Sequence, residues 1–223
     1  MALDSPKNLR SCLPQMVERK FFGKTDYQQS LDLQQKAVQK ATRSPARIQI
    51  QGYEFDTVIT LGRSASALEE VYEPALNGHP IVQVERGGKA TLHSPGQLVI
   101  YPICNIKFYD KRVKSWVRFL LKTTLNTIRS VSPQKSFSFS EERAGVYSEN
   151  AKVASIGLRI DQGVSLFGLA VNLKNDPELF KLIRPCGVPG QEIQSLNYQN
   201  SLEDFFALWS GKFEEDFKIP EAW

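Results

Sequence analysis

The spacing of apolar and polar positions predicts short strands over much of the chain. Runs that alternate between apolar and polar residues, or that are apolar throughout, are typical of strands. Such runs cover 15–18, 47–51, 57–61, 81–85, 98–103, 144–147, 152–160 and 164–173. Asp161-Gln162-Gly163 separates the last two runs, and a short turn containing glycine predicts a β-hairpin there.

A second period, of 3.6 residues, predicts helices. The clearest helix begins near Asp110 and extends to Arg129. Its apolar positions recur at i, i+3 and i+4 and define a face for a core, with Val113, Trp116, Val117, Leu120, Leu121, Leu125 and Ile128 as members. Asp26, with Gln29 three residues later, is typical of the N-cap of an earlier helix that extends to about Ala41.

Two further helices are predicted near the C-terminus. Asp176-Pro177 opens a short helix through Ile183, because proline is favoured in the first turn. Ser201 with Asp204 opens a last amphipathic helix, whose apolar face carries Leu202, Phe205, Phe206, Trp209 and Phe213. Residues 64–79 are predicted to be a connecting loop with some helical character.

These elements indicate an α+β fold, or α/β in looser usage. Hairpin-linked strands beside a few helices predict a mixed, largely antiparallel sheet with packed helices. No internal repeat or long linker divides the 223 residues. We expect an N-terminal arm with one short strand over 1–24, a single domain over 25–217 and a C-terminal tail over 218–223.

Composition and charge exclude several classes of function. Hydrophobic residues make up 41% of the chain and charged residues 23%, as in globular proteins, and no apolar run approaches the ~20 residues of a membrane span. The N-terminus has no apolar signal core, and the three cysteines are scattered, so we expect reduced thiols in the cytoplasm. Two histidines exclude a His-rich metal centre, and a net charge of +4 is too small to indicate nucleic-acid binding.

A glycine-rich stretch, 86–97, lies between the alternating run 81–84 and the apolar run 98–101. Glycines permit positive φ or the close approach of a ligand to the backbone. The stretch lacks both the following helix of a dinucleotide fingerprint and the Gly-Lys-Ser/Thr ending of a phosphate-binding loop. Two interpretations remain open: an ordinary glycine-rich surface hairpin, and a loop that shapes a ligand site.

Cys186, between Pro185 and Gly187, is the residue best suited to nucleophilic chemistry. A cysteine in a reducing compartment is commonly just a small buried hydrophobe. Here the flanking residues predict a tight bend that exposes the sulfur and frees the Gly187 N–H to stabilise an oxyanion. A thiol suits the exchange of an acyl group between thioesters, but only the thiolate attacks, and a free cysteine has a pKa of about 8.5. A nearby group must supply positive charge or accept the proton, and His93 and Lys152 are both candidates.

Three stretches in a fixed order carry a family signature. The first is Arg-Gly-Gly, Thr-x-His-x-Pro-Gly-Gln and Tyr-Pro over 86–102. The second is Gly-Val-Tyr at 145–147 leading into Lys-Val-Ala-Ser-Ile-Gly-Leu-Arg-Ile at 152–160, and the third is Gly-Leu-Ala-Val-Asn-Leu at 168–173 leading into Pro-Cys-Gly at 185–187. Together they resemble the signature of the lipoyl(octanoyl) transferases, and the resemblance extends weakly upstream to Tyr27 and Leu33-Gln34.

The resemblance implies a fold similar to the biotin/lipoate protein ligase catalytic domain and a catalytic pair. In that family the lysine that opens Lys-x-x-Ser-x-Gly pairs with the cysteine of Pro-Cys-Gly, which assigns Lys152 and Cys186 here and leaves His93 to the ligand-shaping loop. The acyl site is implied by position to comprise Arg86, Gly87, Gly88, Lys89, Ala90, Thr91, Leu92, His93, Ser155, Ile156, Gly157, Gly168, Leu169 and Ala170. No ATP, metal or other cofactor is implied.

The implied activity is transfer of an octanoyl group to a lysine of a lipoyl domain. Octanoyl-acyl carrier protein would acylate Cys186, and the acceptors would be lipoyl domains of 2-oxoacid dehydrogenase complexes and glycine cleavage H protein; neither nucleic acid nor a membrane is implied. The alternatives are an ATP-dependent lipoate or biotin protein ligase, which needs no nucleophilic cysteine, and a non-catalytic module that binds acylated proteins. The chain departs from the family pattern at three places. Ser94 and Phe167 replace the usual glycine and histidine, and the 53–56 stretch also differs. These departures bear on the preferred length of the acyl chain.

Basic residues cover much of the rest of the predicted 110–129 helix: Lys111, Lys114, Arg118, Lys122 and Arg129. A solvated face is the simpler explanation. The alternative is a docking surface for an acidic carrier or lipoyl domain.

Overall fold

In the described residues of a computed structural model, 16–72, 78–185 and 190–218, the strands form two sheets. The strands are β1 Met16–Lys24, β2 Arg47–Glu54, β3 Val58–Leu61, β4 Ile81–Gln83, β5 Ala90–His93, β6 Gln97–Ile103, β7 Phe137–Ser140, β8 Gly145–Ser148, β9 Ala151–Asp161 and β10 Val164–Asn172. The helices are α1 Tyr27–Arg43, α2 Ala67–Glu70, α3 Val113–Val131 and α4 Leu202–Phe217, with a 3-10 helix at Pro177–Leu182.

The large sheet has seven strands in the order β1-β2-β6-β10-β9-β8-β7. β1 and β2 are parallel, and the remaining neighbours are antiparallel. The small sheet has the order β4-β3-β5, with β4 parallel and β5 antiparallel to β3. Among the described helices, none has the length and apolar character that crossing a bilayer requires.

Helices cover both faces of the large sheet, so its central strands are buried throughout. Every residue of β6 and β10 is buried. Along β6 the side chains alternate: Leu98 and Ile100 pack with α3 and α4, whereas Val99, Tyr101 and Ile103 pack with α1. A strand buried on both faces needs apolar residues at successive positions, which explains the continuous apolar runs of the sequence.

The predicted helix caps are present. The Asp26 side chain accepts a hydrogen bond from the Gln29 N–H at 3.1 Å and begins α1. Ser201 and Asp204 form a reciprocal capping box at the start of α4, with both side-chain-to-backbone distances at 3.0 Å. Such caps each contribute about 1 kcal/mol and limit fraying of the first helical turn.

The α+β prediction is confirmed, as are α1, α4 and the β9–β10 hairpin. The 1–24 arm was expected to contain a strand of four residues. The observed strand β1 has nine residues, because it pairs with β2 along its length. The rest of the predicted arm, 1–15, and most of the predicted tail, 219–223, lie outside the described residues. The 86–97 stretch is not a loop throughout, since 90–93 pairs with β3 as β5. The flanking strands β4 and β6 therefore belong to different sheets and form no hairpin.

Three other elements differ from the predictions. Residues 137–140 fall in none of the predicted strands but form β7, which pairs with β8. The long helix begins at Val113 instead of near Asp110, because Asp110 has a left-handed φ of 58°. Val113 was predicted to face the core, but it is 50% exposed. The short helix after Asp176 is of the 3-10 type.

The basic face of α3 is partly occupied by contacts within the protein. Arg118 forms an ion pair with Glu141 at 2.6 Å, and Arg129 donates to the Phe137 carbonyl at 2.7 Å. Lys114 and Lys122 are exposed, and docking of an acidic domain there stays a prediction.

We predict opposite effects for two Gly→Ala changes. A Cβ on Gly168 of β10 would lie 2.0 Å from the Ile100 carbonyl oxygen of β6, so Gly168→Ala must separate two central strands and should lower the free energy of unfolding by roughly 3 kcal/mol or more. A Cβ on Gly211 in α4 would meet no atom within 4 Å, so Gly211→Ala should stabilise the protein by up to about 1 kcal/mol. Urea unfolding of both variants tests the pair; equal midpoints would contradict the packing argument.

Candidate functional site

A cavity of about 560 Å³ lies where the small sheet meets the large one. Its walls come from the 86–90 loop and β5 on one side and from β6, β9 and β10 on the other, and Tyr27 of α1 also lines it. Its size is that of a pocket for a small molecule or a cofactor-sized group.

The structure brings together most of the residues that the sequence assigned to the site. The cavity is lined by Arg86, Gly87, Gly88, Lys89, Ala90, Thr91, His93, Lys152, Ser155, Ile156, Gly157, Gly168, Leu169 and Ala170. Leu92 is not among the lining residues, because alternate residues of a strand face opposite sides and it packs instead with Ile59 and Phe180. Cys186 and Gly187 lie outside the described residues.

Arg86 holds the glycine-rich loop against both sheets. Its guanidinium donates to the Thr60 carbonyl at 2.8 Å and to the Thr60 hydroxyl at 2.9 Å, and also to the Gly87 carbonyl at 3.1 Å. The Gly87 N–H donates to the Leu158 carbonyl of β9 at 2.9 Å. A Cβ on Gly157 would come within 3.3 Å of Arg86 Cδ, so the absence of a side chain at Gly157 leaves room for the Arg86 side chain beside β9.

Glu70, which the sequence analysis missed, fixes the other end of this loop. Its side chain is 1% exposed, accepts from the Ala90 N–H at 2.5 Å and lies 3.4 Å from the Lys89 ammonium. A buried carboxylate needs such partners to offset its desolvation. No local sequence motif predicts that Glu70 binds the loop, because it lies in a four-residue helix twenty residues before Ala90, its hydrogen-bond partner.

Lys152 is buried at the polar end of the cavity. Only 2% of the residue is exposed, and its Nζ donates to the Arg143 carbonyl at 2.9 Å. The ammonium also lies 5.5 Å from the centroid of the Tyr147 ring, within the range of a cation–π contact. A Cβ on Gly145 would be 3.0 Å from Lys152 Cε, so the glycine of the Gly-Val-Tyr motif makes room for the lysine stem.

The backbone of Lys152 is joined to the segment that follows Cys186 in sequence. The Lys152 N–H donates to the Glu192 carbonyl at 2.8 Å, and the Gln194 N–H donates to the Lys152 carbonyl at 3.0 Å. Gln191, five residues after Cys186, lines the same cavity. Residues 192–194 are therefore fixed beside the lysine.

His93 is part of a buried hydrogen-bond chain. Its Nδ1 lies 2.6 Å from Gln97 Oε1, and Gln97 Nε2 donates to Asn172 Oδ1 at 2.9 Å. Since the Gln97 oxygen only accepts, His93 carries its proton on Nδ1. Burial lowers the pKa of His93 to about 4, so the ring is neutral at pH 7 and is a poor acceptor for a thiol proton. Of the two candidates, His93 is therefore poorly suited to that task.

The end of the cavity near α1 is aromatic. Tyr27 and Tyr101 line it with Phe167, and Val99 and Ala170 add small apolar surface. Burial raises the pKa of both Tyr27 and Tyr101, which keeps these phenols neutral. This end suits an alkyl chain, and the opposite end suits a reacting carbonyl.

Comparisons with known proteins show which proteins this chain resembles. The family profile of the lipoyl protein ligase A/B catalytic domain matches residues 26–213. Among curated proteins, the chain is 32% identical to the octanoyltransferase of Alkalilimnicola ehrlichii, over 81% of each chain, and 37% identical to that of Shewanella sediminis, over 78% of this chain and 77% of that one.

Solved structures share the fold at low identity. A lipoate-protein ligase A bound with ATP superposes with a TM-score of 0.69 at 14% identity, covering 91% of this chain and 85% of the ligase. A bi-partite lipoate protein ligase studied with its E2 lipoyl domain from Thermoplasma acidophilum gives 0.69 at 17% identity, covering 90% and 83%.

We predict a specific contribution of His93 to acid stability. The folded pKa of about 4 lies below the usual 6.5, so the contribution is fully present above pH 6.5 and is lost as the pH falls toward 4, for a total of about 3 kcal/mol. His93→Asn keeps a donor near Gln97 without a titrating ring. Urea unfolding from pH 7.5 to 4 should show a shallower loss of stability for this variant. His79→Asn serves as the control, and equal slopes for wild type and His93→Asn would refute the assignment.

Proposed function

The chain belongs to the lipoyl protein ligase A/B catalytic domain family, and we propose that within it the protein is an octanoyltransferase that acts through Cys186 and Lys152. The donor is octanoyl-acyl carrier protein. The acceptor is a lysine of a lipoyl domain, in 2-oxoacid dehydrogenase complexes or in glycine cleavage H protein. A reactive free thiol fits a cytoplasmic setting.

One observation carries the catalytic part of the proposal. A buried lysine closes the polar end of a largely apolar cavity, and its backbone is bonded to residues 192 and 194, which follow Cys186 in sequence. Apolar surface binds the acyl chain at about 0.8 kcal/mol per buried CH₂. A cation beside the reaction centre favours the thiolate.

The proposed reaction has two balanced halves. The Cys186 thiolate attacks the carbonyl carbon of the donor thioester, and the carrier thiol departs with a proton from Lys152. The acceptor lysine then attacks the acyl-Cys186 carbonyl as a neutral amine and loses a proton to Lys152, and the Cys186 sulfur leaves as a thiolate. The products are an amide, free carrier thiol and the original enzyme.

The second candidate is an ATP-dependent ligase, which the fold shared with an ATP-bound lipoate-protein ligase favours. The two functions differ in their reactants. Transfer from the carrier thioester without nucleotide supports the transferase, whereas labelling of a lipoyl domain from free octanoate only with ATP would support the ligase.

We predict that Cys186 is the acylated residue. Incubation with octanoyl-carrier protein should add one octanoyl group to the wild type by intact mass, and Cys186→Ala should abolish both the adduct and transfer. The control is Cys104→Ala: Cys104 is fully buried and burial raises the pKa of its thiol, so this variant should retain the adduct. An adduct that persists in Cys186→Ala would overturn the assignment.

We predict that Lys152 is needed as a proton carrier and not only as a charge. Arginine preserves the positive charge but does not exchange its proton near neutral pH. Lys152→Arg should therefore keep part of the thiolate, measured as alkylation of Cys186 by iodoacetamide at pH 7. Its overall transfer rate should fall by roughly 10²- to 10⁴-fold, as expected for loss of general acid–base catalysis. Turnover of Lys152→Arg near the wild-type rate would leave Lys152 an electrostatic partner only.

A further inference from the structure

We infer that Phe167 forms the end wall of the acyl cavity and sets the longest acyl chain that the protein accepts; as a statement about acyl substrates, this rests on the proposed function. The inference combines the position of Phe167 along the strands, its unusual backbone conformation and the side chain that holds it.

Phe167 lies at the opposite end of the cavity from Lys152. It pairs with Leu158 of β9, and Leu158 follows Lys152 by six residues on the same strand. At about 3.3 Å per residue, this separates the two backbone positions by about 20 Å. An acyl chain whose carbonyl reacts near Lys152 therefore extends toward Phe167.

The Phe167 ring belongs to the aromatic wall. The residue is 7% exposed, and its ring meets the Tyr101 ring edge-on, with centroids 6.0 Å apart. Both residues line the cavity, together with Tyr27. Close-packed rings leave a further methylene with no space unless a side chain moves.

A local break in β10 directs Phe167 to this side of the sheet. Regular alternation would send it with Leu169 and Val171 toward α3 and α4. It packs instead with Leu166 on the α1 side, where the cavity lies, and has a φ of 58°. A non-glycine residue in this conformation costs about 1–3 kcal/mol and persists only where its surroundings fix it.

Gln34 of α1 provides that fixation. Its Oε1 accepts a short hydrogen bond from the Phe167 N–H, and Gln34 itself is 2% exposed. The next residue, Gly168, fits tightly against the Ile100 carbonyl. The wall is thus held from both sides, by a side-chain amide and by the neighbouring strand.

The test compares acyl chain lengths in variants of this wall. Transfer from hexanoyl-, octanoyl-, decanoyl- and dodecanoyl-carrier protein is measured for wild type, Phe167→Ala and Phe167→Gly. Both variants should raise the ratio of kcat/KM for dodecanoyl over octanoyl by about tenfold for each two methylenes newly admitted. Phe167→Gly should also have a higher Tm than Phe167→Ala, because glycine adopts positive φ without strain.

Two further variants separate the wall from general effects. Phe139→Ala removes a partly buried phenylalanine of β7 that is not among the lining residues, and it should keep the wild-type chain-length order. Gln34→Leu removes the acceptor of the Phe167 N–H, and it should broaden the chain-length profile while the Phe167 ring is retained.

Binding of free fatty acids, measured as the shift in Tm, tests the wall without catalysis. If the wild type transfers octanoyl groups and Phe167→Ala keeps the same length limit in transfer and binding, the inference is wrong and the proposed function stands. If the wild type transfers nothing but Phe167→Ala admits longer fatty acids than the wild type binds, the wall is supported and the proposed function fails.

Discussion

The close approach of two backbones fixes the site. The Gly87 N–H of the loop between β4 and β5 donates to the Leu158 carbonyl of β9, and a Cβ on Gly87 would lie 3.1 Å from that carbonyl oxygen, so the small sheet meets the large one where the loop carries no side chain. The same loop lies close to the end of β3, because a Cβ on Gly62 would be 2.2 Å from the Gly88 carbonyl oxygen. Arg86 bonds to Thr60 of β3 and passes beside Gly157 of β9, so it contacts both sheets. A side chain at Gly87 would push the loop away from β9, and one at Gly62 would push it away from β3; either change would alter the cavity wall. The glycines of the signature are thus explained by packing as well as by ligand contact.

The catalytic proposal depends on how the fold tolerates a buried lysine. An ammonium removed from water is costly unless hydrogen bonds and nearby electron density replace the solvent. Here the Arg143 carbonyl and the face of Tyr147 supply both. The Tyr147 hydroxyl donates to the same Arg143 carbonyl at 2.9 Å, which restrains the acceptor as well as the donor. The lysine is consequently held at one point in space, as a proton carrier between two substrates must be.

The sequence predicted the features that depend on interactions between residues close together in the chain. The caps at Asp26 and Ser201, the β9–β10 hairpin and the core face of α3 follow from spacing and turn chemistry within a few residues. The assignment of strands to sheets did not follow, because β5 pairs with β3, thirty residues away, and nothing in 90–93 marks the partner. Residues 137–140 were missed for a different reason: the run has only four residues, although they alternate and pair with β8 across a short turn.

The site shows the same division between motif and tertiary structure. The signature identified many of the lining residues, but it also included Leu92, which faces the other side of β5. It assigned no role to Glu70, Gln34 or Tyr147, because their roles arise from contacts that are remote in sequence or that involve a backbone carbonyl. Phe167, noticed only as a departure from the family pattern, has the conformation that its position demands, since Gly168 must touch β6 and the residue before it absorbs the break. A substitution at such a position changes the shape of the cavity without disturbing the chemistry at Lys152, because the two lie at opposite ends of the same strand pair.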